Sequence, residues 1–164
     1  MALSAVVKNF RNGTLRIYDA TSTPLDVTVE YDAGDFSING LKKKLNETTT
    51  YLDRGELGSV RHTARTFPTI SFTAQMTEFS DATNEVLQDI VLRTGAFATA
   101  VSTLGATADV YTLNMTLTVE GTDFGDASDH VLTATNVEMS VDFAEGDPNT
   151  VTINGTVYGT VTFT

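Results

Sequence analysis

The residues that most often perform chemistry are few in this chain, and they do not cluster. The only two imidazoles, His62 and His130, stand far apart in the sequence, and neither has a neighbour at a metal-ligand spacing. The chain contains no cysteine, which excludes thiolate metal clusters, cysteine nucleophiles and disulfides. We interpret both histidines as solvated or structural, and we expect no metal and no other cofactor.

Two short patterns imitate functional motifs. Asp123, Asp126 and Asp129 have the composition of a calcium loop but lack the residue order of an EF-hand, so we interpret them as an acidic turn. The tripeptide Asp123-Phe124-Gly125 matches part of a kinase signature, yet the glycine-rich and catalytic loops are missing. No catalytic constellation remains, so the sequence predicts that the protein is not an enzyme.

The charge balance restricts the partners. Ten Lys and Arg against 21 Asp and Glu give a formal net charge of −11. This argues against tight binding to nucleic acid, which depends on cationic side chains that neutralise phosphates. The segment 94–164 holds nine acidic residues and no Lys or Arg, so it carries −9 of that charge. Such asymmetry indicates two faces or ends that meet different surroundings.

The length of 164 residues suits a single domain, 1–164, and a hydrophobic content of 41% favours a folded core over disorder. The first residues lack the basic region and long apolar stretch of a secretory signal, and no apolar run reaches transmembrane length. We therefore expect a soluble chain that is made in the cytoplasm and does not insert into a membrane.

The elements that must position any functional residues are mostly β-strands. Threonine occurs 29 times and valine 16 times, an excess of β-branched residues that favours strands. Alternation of apolar and polar residues predicts five strong strands and two short ones. The strong strands cover 25–32, 69–77, 111–120, 136–143 and 151–163, and the short ones cover 15–18 and 36–41.

One helix is predicted over about 81–94. Ser80 or Asp81 is suited to the N-cap, and Gly95 is suited to the left-handed position that ends a helix. An apolar stripe at helical spacing is expected to pack on one sheet face; it consists of Val86, Leu87, Ile90 and Val91.

The segment 42–66 is predicted to be a long basic loop, because about 25 residues separate two strands and loops of that size are usually functional or disordered. Its acidic residues are Glu47, Asp53 and Glu56, which leaves a net charge of +3. It contains six of the ten basic residues: Lys42, Lys43, Lys44, Arg54, Arg61 and Arg65.

The polar faces of the five strong strands carry acids and no Lys or Arg, whereas a solvated face usually mixes both signs. One explanation is chance in an acidic protein, and the other is a surface that repels anions. The acidic residues on these faces are Asp26, Glu30, Asp32, Glu120, Glu138 and Asp142.

The order of these elements resembles the tail tube, or major tail, proteins of long-tailed bacteriophages, whose fold resembles that of the type VI secretion tube protein. The resemblance implies a mainly β, tail-tube-like β-sandwich or half-barrel that closes into a ring-wide β-barrel on oligomerisation. It covers most of the chain: 25–32, 42–66, 67–78, 80–95 and 109–164.

The resemblance implies a structural virion protein of the tail, in which hexameric rings stack into a tube that conducts genome DNA. The expected partners are further copies of the chain, other tail proteins at the tube ends, and DNA that passes without specific binding. The positions assigned to the lumen are Glu30, Asp32, Thr73, Gln75, Glu138 and Asp142. The positions assigned to contacts between rings are Lys42, Lys43, Lys44, Arg54, Arg61 and Arg65.

Three alternatives stay open from the sequence. Two are the tube protein of a secretion or contractile injection system, and a related ring such as a tail terminator or distal hub, which the sequence hardly separates from a tube subunit. A carbohydrate-binding β-sandwich module is an alternative of another class. It is disfavoured because sugar platforms need exposed aromatics, whereas the chain has no Trp and only five Tyr.

Overall fold

The computed structural model describes residues 13–30, 35–121 and 125–164. This part of the chain is mainly β, as the sequence predicts. The strands are β1 Gly13–Tyr18, β2 Asp26–Glu30, β3 Ser37–Asn39, β4 Asn46–Asp53, β5 Glu56–Arg65, β6 Thr69–Gln75, β7 Leu113–Val119, β8 His130–Ala144, β9 Thr150–Val157 and β10 Val161–Phe163. One short α-helix, α1, spans Leu87–Leu92, and a 3-10 turn follows at Gly95–Phe97.

Eight strands form one antiparallel sheet in the order β2-β1-β7-β8-β9-β6-β3, and β10 pairs with the first half of β8. The sheet curves, because residues of β2 at one end and of β6, next to the other end, line one groove. The result is a half-barrel that does not close within the described chain.

The apolar residues of the alternating strands meet inside this curve. β7 and β9 show strict alternation of buried and half-buried positions, which is the reason that their sequences predict strands so clearly. The predicted apolar stripe of the helix, Val86, Leu87, Ile90 and Val91, is buried, and its last three members belong to the same core. Among the described residues no helix has the length and hydropathy needed to cross a bilayer.

A bulge divides β8 into two halves that have different neighbours. Leu113 of β7 pairs with Val137 and Met115 pairs with Ala134, so β8 has an extra residue between them. Asn136 in this bulge has a φ of 52°, a left-handed value that Asn tolerates better than most residues. Beyond the bulge, β8 leaves β7 and pairs with β9 from Val137 to Ala144.

The helix is shorter than the sequence predicts. It begins after Val86 rather than after Ser80 or Asp81, because Asp81 caps a local turn through the backbone N–H groups of Thr83 and Asn84. It ends at Arg93, whose φ is 58°, two residues before the expected Gly95. The carboxylate of Asp89, which is buried, accepts hydrogen bonds from Ser80, Asp81 and Thr94 and so fixes the flanking segments.

The predicted long loop is largely a two-stranded β-hairpin. β4 and β5 pair only with each other, and the turn at Arg54 and Gly55 joins them. All ten residues of β5 are exposed, so neither face of the hairpin has the half-buried alternation from which strands are recognised. We call residues 46–65 the arm, because they project from the half-barrel as a separate sheet.

Candidate functional site

The second half of β8 joins β9 and β6 in a three-stranded face that contains four of the six positions assigned to a lumen. The strand register places Glu138, Asp142, Thr73 and Gln75 on one side of this sheet. We call this side the cation-free face, because the described residues that form it include no Lys or Arg. They are Glu138, Ser140, Asp142 and Ala144 of β8, Thr150, Thr152, Asn154 and Thr156 of β9, and Thr69, Ser71, Thr73 and Gln75 of β6.

The other two assigned positions are not brought into this group. Glu30 ends β2, and the sheet order puts β1 and β7 between β2 and β8. Asp32 lies outside the described residues. Arg16 of β1 is a cation on the outer surface of the same sheet, and it forms an ion pair with Asp26 at 2.7 Å. The side-chain hydrogen bond to Asp26 raises the pKa of Arg16 further.

Neutral hydrogen-bond donors hold the polar side chains of the cation-free face. Asn154 is central: its Nδ2 donates to Asp142 Oδ2 at 2.8 Å, and its Oδ1 accepts from Ser71 Oγ at 2.9 Å. Thr73 and Thr152 share a hydrogen bond of 3.0 Å between their hydroxyls. The two carboxylates thus have neutral hydrogen-bond partners and no cationic partner among the residues of this face, so the surface is acidic and rich in hydroxyls.

The sequence interpretation missed the part played by Tyr158, which lies just after β9. Its Oη donates to Glu138 Oε2 at 2.6 Å, and its ring packs edge-on against Phe67 at 5.0 Å. The hydrogen bond to Glu138 is the main cause of the raised pKa of Tyr158, since the phenol gives up that bond when it ionises. The only available signal was that Tyr158 is the one tyrosine on the polar side of a strong strand.

The arm begins beside this face. Arg65 Nη2 donates to the carbonyl oxygen of Tyr158 at 3.0 Å, and the guanidinium lies 5.2 Å from the centre of the Phe67 ring. Lys42 Nζ donates to the carbonyl oxygen of Asn46 at the start of β4. Arg65 and the three lysines Lys42, Lys43 and Lys44 thus stand at the base of the arm.

Three of the six assigned basic residues are spread along the arm, and the three lysines directly precede it, so the six are not gathered at its tip. Arg61 lies midway along β5, opposite Thr49, and Arg54 lies in the turn. Asp53 and Glu56 face each other beside that turn, so the tip carries a net negative charge. The base is the basic part of the arm.

The outer part of the arm carries an apolar patch that the sequence interpretation also missed. Leu52 pairs with Leu57, and Val60 shares their side of the hairpin through its pairing with Thr50. These side chains are 65%, 62% and 51% exposed, respectively. Three adjacent exposed aliphatic side chains on a projecting hairpin are typical of a surface that contacts another molecule.

The other motifs form no catalytic or metal site in the part of the chain that the structure describes. His130 Nε2 lies 2.8 Å from Asp126 Oδ2 in an exposed pair, and Asp129 Oδ1 accepts from the backbone N–H of Gly121. His62 is exposed on β5. Within the described residues, no three His, Cys, Asp or Glu side chains are grouped so that they would hold a metal ion.

No protein-family model matches the sequence, and no curated protein matches it. The chain matches solved structures, among them the following two. One is the PVC sheath/tube terminator of an extracellular contractile injection system in its extended state, with 13% identity, 99% of both chains covered and a TM-score of 0.56. The other belongs to the baseplate of the anti-feeding prophage, with 13% identity, 100% of this chain and 97% of that chain covered, and a TM-score of 0.45.

The likeness to the sheath/tube terminator extends over the whole chain, so the two proteins share a fold. This agrees with the tail-tube-like fold that the sequence predicts.

Proposed function

We propose that the protein is a structural subunit of a phage-tail-like particle, in which six copies form a ring and stacked rings form a tube. The observation that carries this proposal is the cation-free face, which lies on a fold shared with a sheath/tube terminator. In the proposed ring this face lines the channel. The subunit belongs to the virion or particle, and its partners are further copies and the proteins at the ends of the tube.

An acidic channel suits the passage of DNA for a physical reason. Each Lys or Arg that contacts a phosphate releases counterions and adds affinity, so a basic channel would hold the duplex at every ring. Glu138 and Asp142 repel phosphates instead, and the hydroxyls around them keep a layer of water at the wall. Transit then needs no specific contact between the protein and DNA.

The arm provides the contact between successive rings in this proposal. The positively charged base of the arm can meet the acidic surface of a neighbouring copy. Such complementarity of charge sets the orientation of one ring on the next and makes the contact sensitive to salt. Its apolar patch adds a contact that is independent of charge. The arm therefore stabilises the stack, whereas the half-barrel forms the ring.

A second candidate is a terminator ring, which closes a tube rather than building it. It is favoured by the likeness to the sheath/tube terminator. The two candidates differ in whether rings of this protein stack on one another. Negative-stain electron microscopy of the concentrated protein separates them, since a tube subunit yields long hollow tubes and a terminator yields isolated rings. Protein that stays monomeric at every concentration contradicts both candidates.

The channel assignment is tested by the double variant Glu138→Lys and Asp142→Lys. We expect it to assemble as the native protein does, but to retain double-stranded DNA at low salt, as measured by co-sedimentation of labelled DNA with the assemblies. The matched control, Glu78→Lys and Asp109→Lys, changes the net charge equally at exposed positions outside the cation-free face. If both variants retain DNA equally, the face does not line the channel.

A further inference from the structure

The three strands of the cation-free face have two outer edges without a strand partner among the described residues. On one side, β8 pairs with β9 over Val137–Ala144, but its last pairing with β7 is at Val137, so 138–144 has a free edge. On the other side, β3 pairs with β6 only over 69–71, so 72–75 has a free edge. Free edges present unpaired backbone N–H and C=O groups to any strand that can reach them.

The two free edges lie at the same level of the sheet. Asp142 pairs with Thr152, which pairs with Thr73, and Ala144 pairs with Thr150, which pairs with Gln75. Both β8 and β6 run antiparallel to β9, so they are parallel to each other. A copy placed beside the first by rotation about a ring axis therefore brings its β6 edge alongside the β8 edge in an orientation that permits a parallel ladder.

Two of the features that usually protect an exposed strand, lysine and proline, are missing from both edges. Residues 138–144 and 72–75 contain no Lys and no Pro, and 72–75 contains no charged residue at all. The uncharged β6 edge can approach Glu138 and Asp142 without repulsion between like charges. Pairing would also extend the cation-free face from one copy into the next.

The opposite side of the same edges shows a matching shape. Phe143 is 55% exposed at the β8 edge, and its row of the sheet continues through Val151 to Ala74 at the β6 edge. Beside Ala74, between β6 and β2, lies a groove of about 570 Å³ whose apolar lining includes Val27, Val29, Ala74 and Leu87. Phe143 of one copy, placed beside β6 of the next, enters this groove and loses its contact with water.

We infer that copies of this chain join head to tail by pairing the 138–144 edge of β8 with the 72–75 edge of β6, while Phe143 fills the groove between β6 and β2 of the next copy. The occupant of each edge is a second copy, because the two edges match in level, direction, charge and shape. This inference rests on the proposed function, since it requires that copies stand side by side.

Cysteine cross-linking tests the pairing directly, because the native chain contains no cysteine. Gln75→Cys is combined in one chain with Ser140→Cys, Asp142→Cys or Ala144→Cys, so that the series covers different staggers of the two strands. A mild oxidant is added after assembly, because a disulfide can join cysteines on adjacent strands of two copies but cannot span β9 within one chain. At least one double variant is expected to give a ladder of covalent multimers. A mixture of the two corresponding single-cysteine variants is expected to give covalent dimers only. Each single-cysteine variant by itself is expected to give no covalent multimer.

The outcomes separate this inference from the proposed function. Rings or tubes without a cross-link in any of the three double variants overturn the pairing but leave the ring subunit intact. A covalent dimer from Ala144→Cys alone indicates a two-fold contact and overturns the pairing as well. Absence of any assembly overturns both the pairing and the proposed function.

The groove is tested with Phe143→Ser. Ring formation is expected to require at least tenfold more protein than the native chain needs, as measured by sedimentation velocity. The control is Phe79→Ser, because Phe79 is 77% exposed and lies on neither edge. Equal effects of the two substitutions, or none from Phe143→Ser, overturn the assignment of Phe143 to the groove.

Discussion

Tyr158 donates a hydrogen bond of 2.6 Å to Glu138, and this bond connects the cation-free face to the base of the arm. The ring of Tyr158 contacts Phe67, and its carbonyl oxygen accepts a hydrogen bond from Arg65. The proposed channel wall and the proposed contact between rings therefore share one tyrosine. A change at Glu138 should be detectable at Tyr158.

The first prediction concerns the pKa of Tyr158. Glu138→Ala removes both the hydrogen-bond acceptor and the negative charge, so the pKa is expected to fall towards the ordinary tyrosine value of about 10. Glu138→Gln keeps an acceptor and should give an intermediate value. The measurement is an NMR titration of the tyrosine rings, with Tyr158→Phe used to assign the signal.

The sign of the pH dependence follows from the raised pKa. The folded protein favours the protonated phenol, so the contribution of this bond to stability is complete below about pH 10 and is lost as the pH rises through the raised pKa. Asp142→Ala is the matched control, because Asp142 lies on the same face and bonds to Asn154 instead. A shift of the Tyr158 pKa in that control would contradict the direct role of Glu138.

The second prediction tests the positive charge at the base of the arm. Lys42→Glu, Lys43→Glu and Lys44→Glu together should leave rings intact but abolish long tubes, because the base would then repel an acidic neighbouring ring. Electron microscopy gives the readout. The control reverses the acids of the same arm, with Glu47→Lys, Asp53→Lys and Glu56→Lys, and should still form tubes. If the triple Lys→Glu variant forms tubes at the protein concentration that the native protein needs, the three lysines are solvated and do not contribute to the contact between rings.

The third prediction separates the apolar patch from the charges. Leu52→Ser and Leu57→Ser together should raise the protein concentration needed for tubes about tenfold or more, since burial of exposed leucines is worth roughly 1.5–3 kcal/mol each. High salt should screen the charged contacts but leave the apolar contact in place, so the increase caused by the two substitutions should persist at high salt. The free energy of unfolding of the monomer should change by less than about 0.5 kcal/mol, because both side chains are already exposed.

The sequence predicted the strands of the half-barrel well, for a physical reason. Residues 69–75 and 113–119 bury every second side chain, so their apolar period reports directly which face meets the core. The arm could not be predicted in this way, because Leu52, Leu57 and Val60 are exposed and neither of its faces meets the core. The pairing of its two strands therefore leaves no apolar period in the sequence.

The candidate site was predicted only in part. Alternation placed Glu138, Asp142, Thr73 and Gln75 on polar faces, but it does not tell which strands are neighbours. That information depends on the bulge at Asn136, which moves β8 from β7 to β9. The helix was overextended because the capping residue Asp81 bonds within a local turn that a helical pattern does not distinguish. Those backbone hydrogen bonds also lower the pKa of Asp81.

The last prediction concerns Asp19, a buried carboxylate that ties three segments together. Its Oδ1 accepts from the backbone N–H groups of Thr21 and Leu25, and its Oδ2 accepts from the N–H of Val101 at 2.9 Å. Asp19→Ala should lower the free energy of unfolding by about 3 kcal/mol, since buried donors are left unpaired. Asp19→Asn should lower the free energy of unfolding by about 2 kcal/mol, because the amide nitrogen of the new side chain would face a backbone N–H, and both groups are hydrogen-bond donors.

Urea unfolding of the monomer measures both values, and Asp109→Asn is the control. Asp109 is exposed, so its substitution should change the free energy of unfolding by less than about 0.5 kcal/mol, although it removes the same charge. Because Asp19 joins β1 to the segment before β2 and to Val101, its loss should loosen the β2 side of the groove. The Asp19→Asn variant should therefore also weaken ring formation, whereas equal ring formation by the two Asn variants would show that this side of the groove does not depend on Asp19.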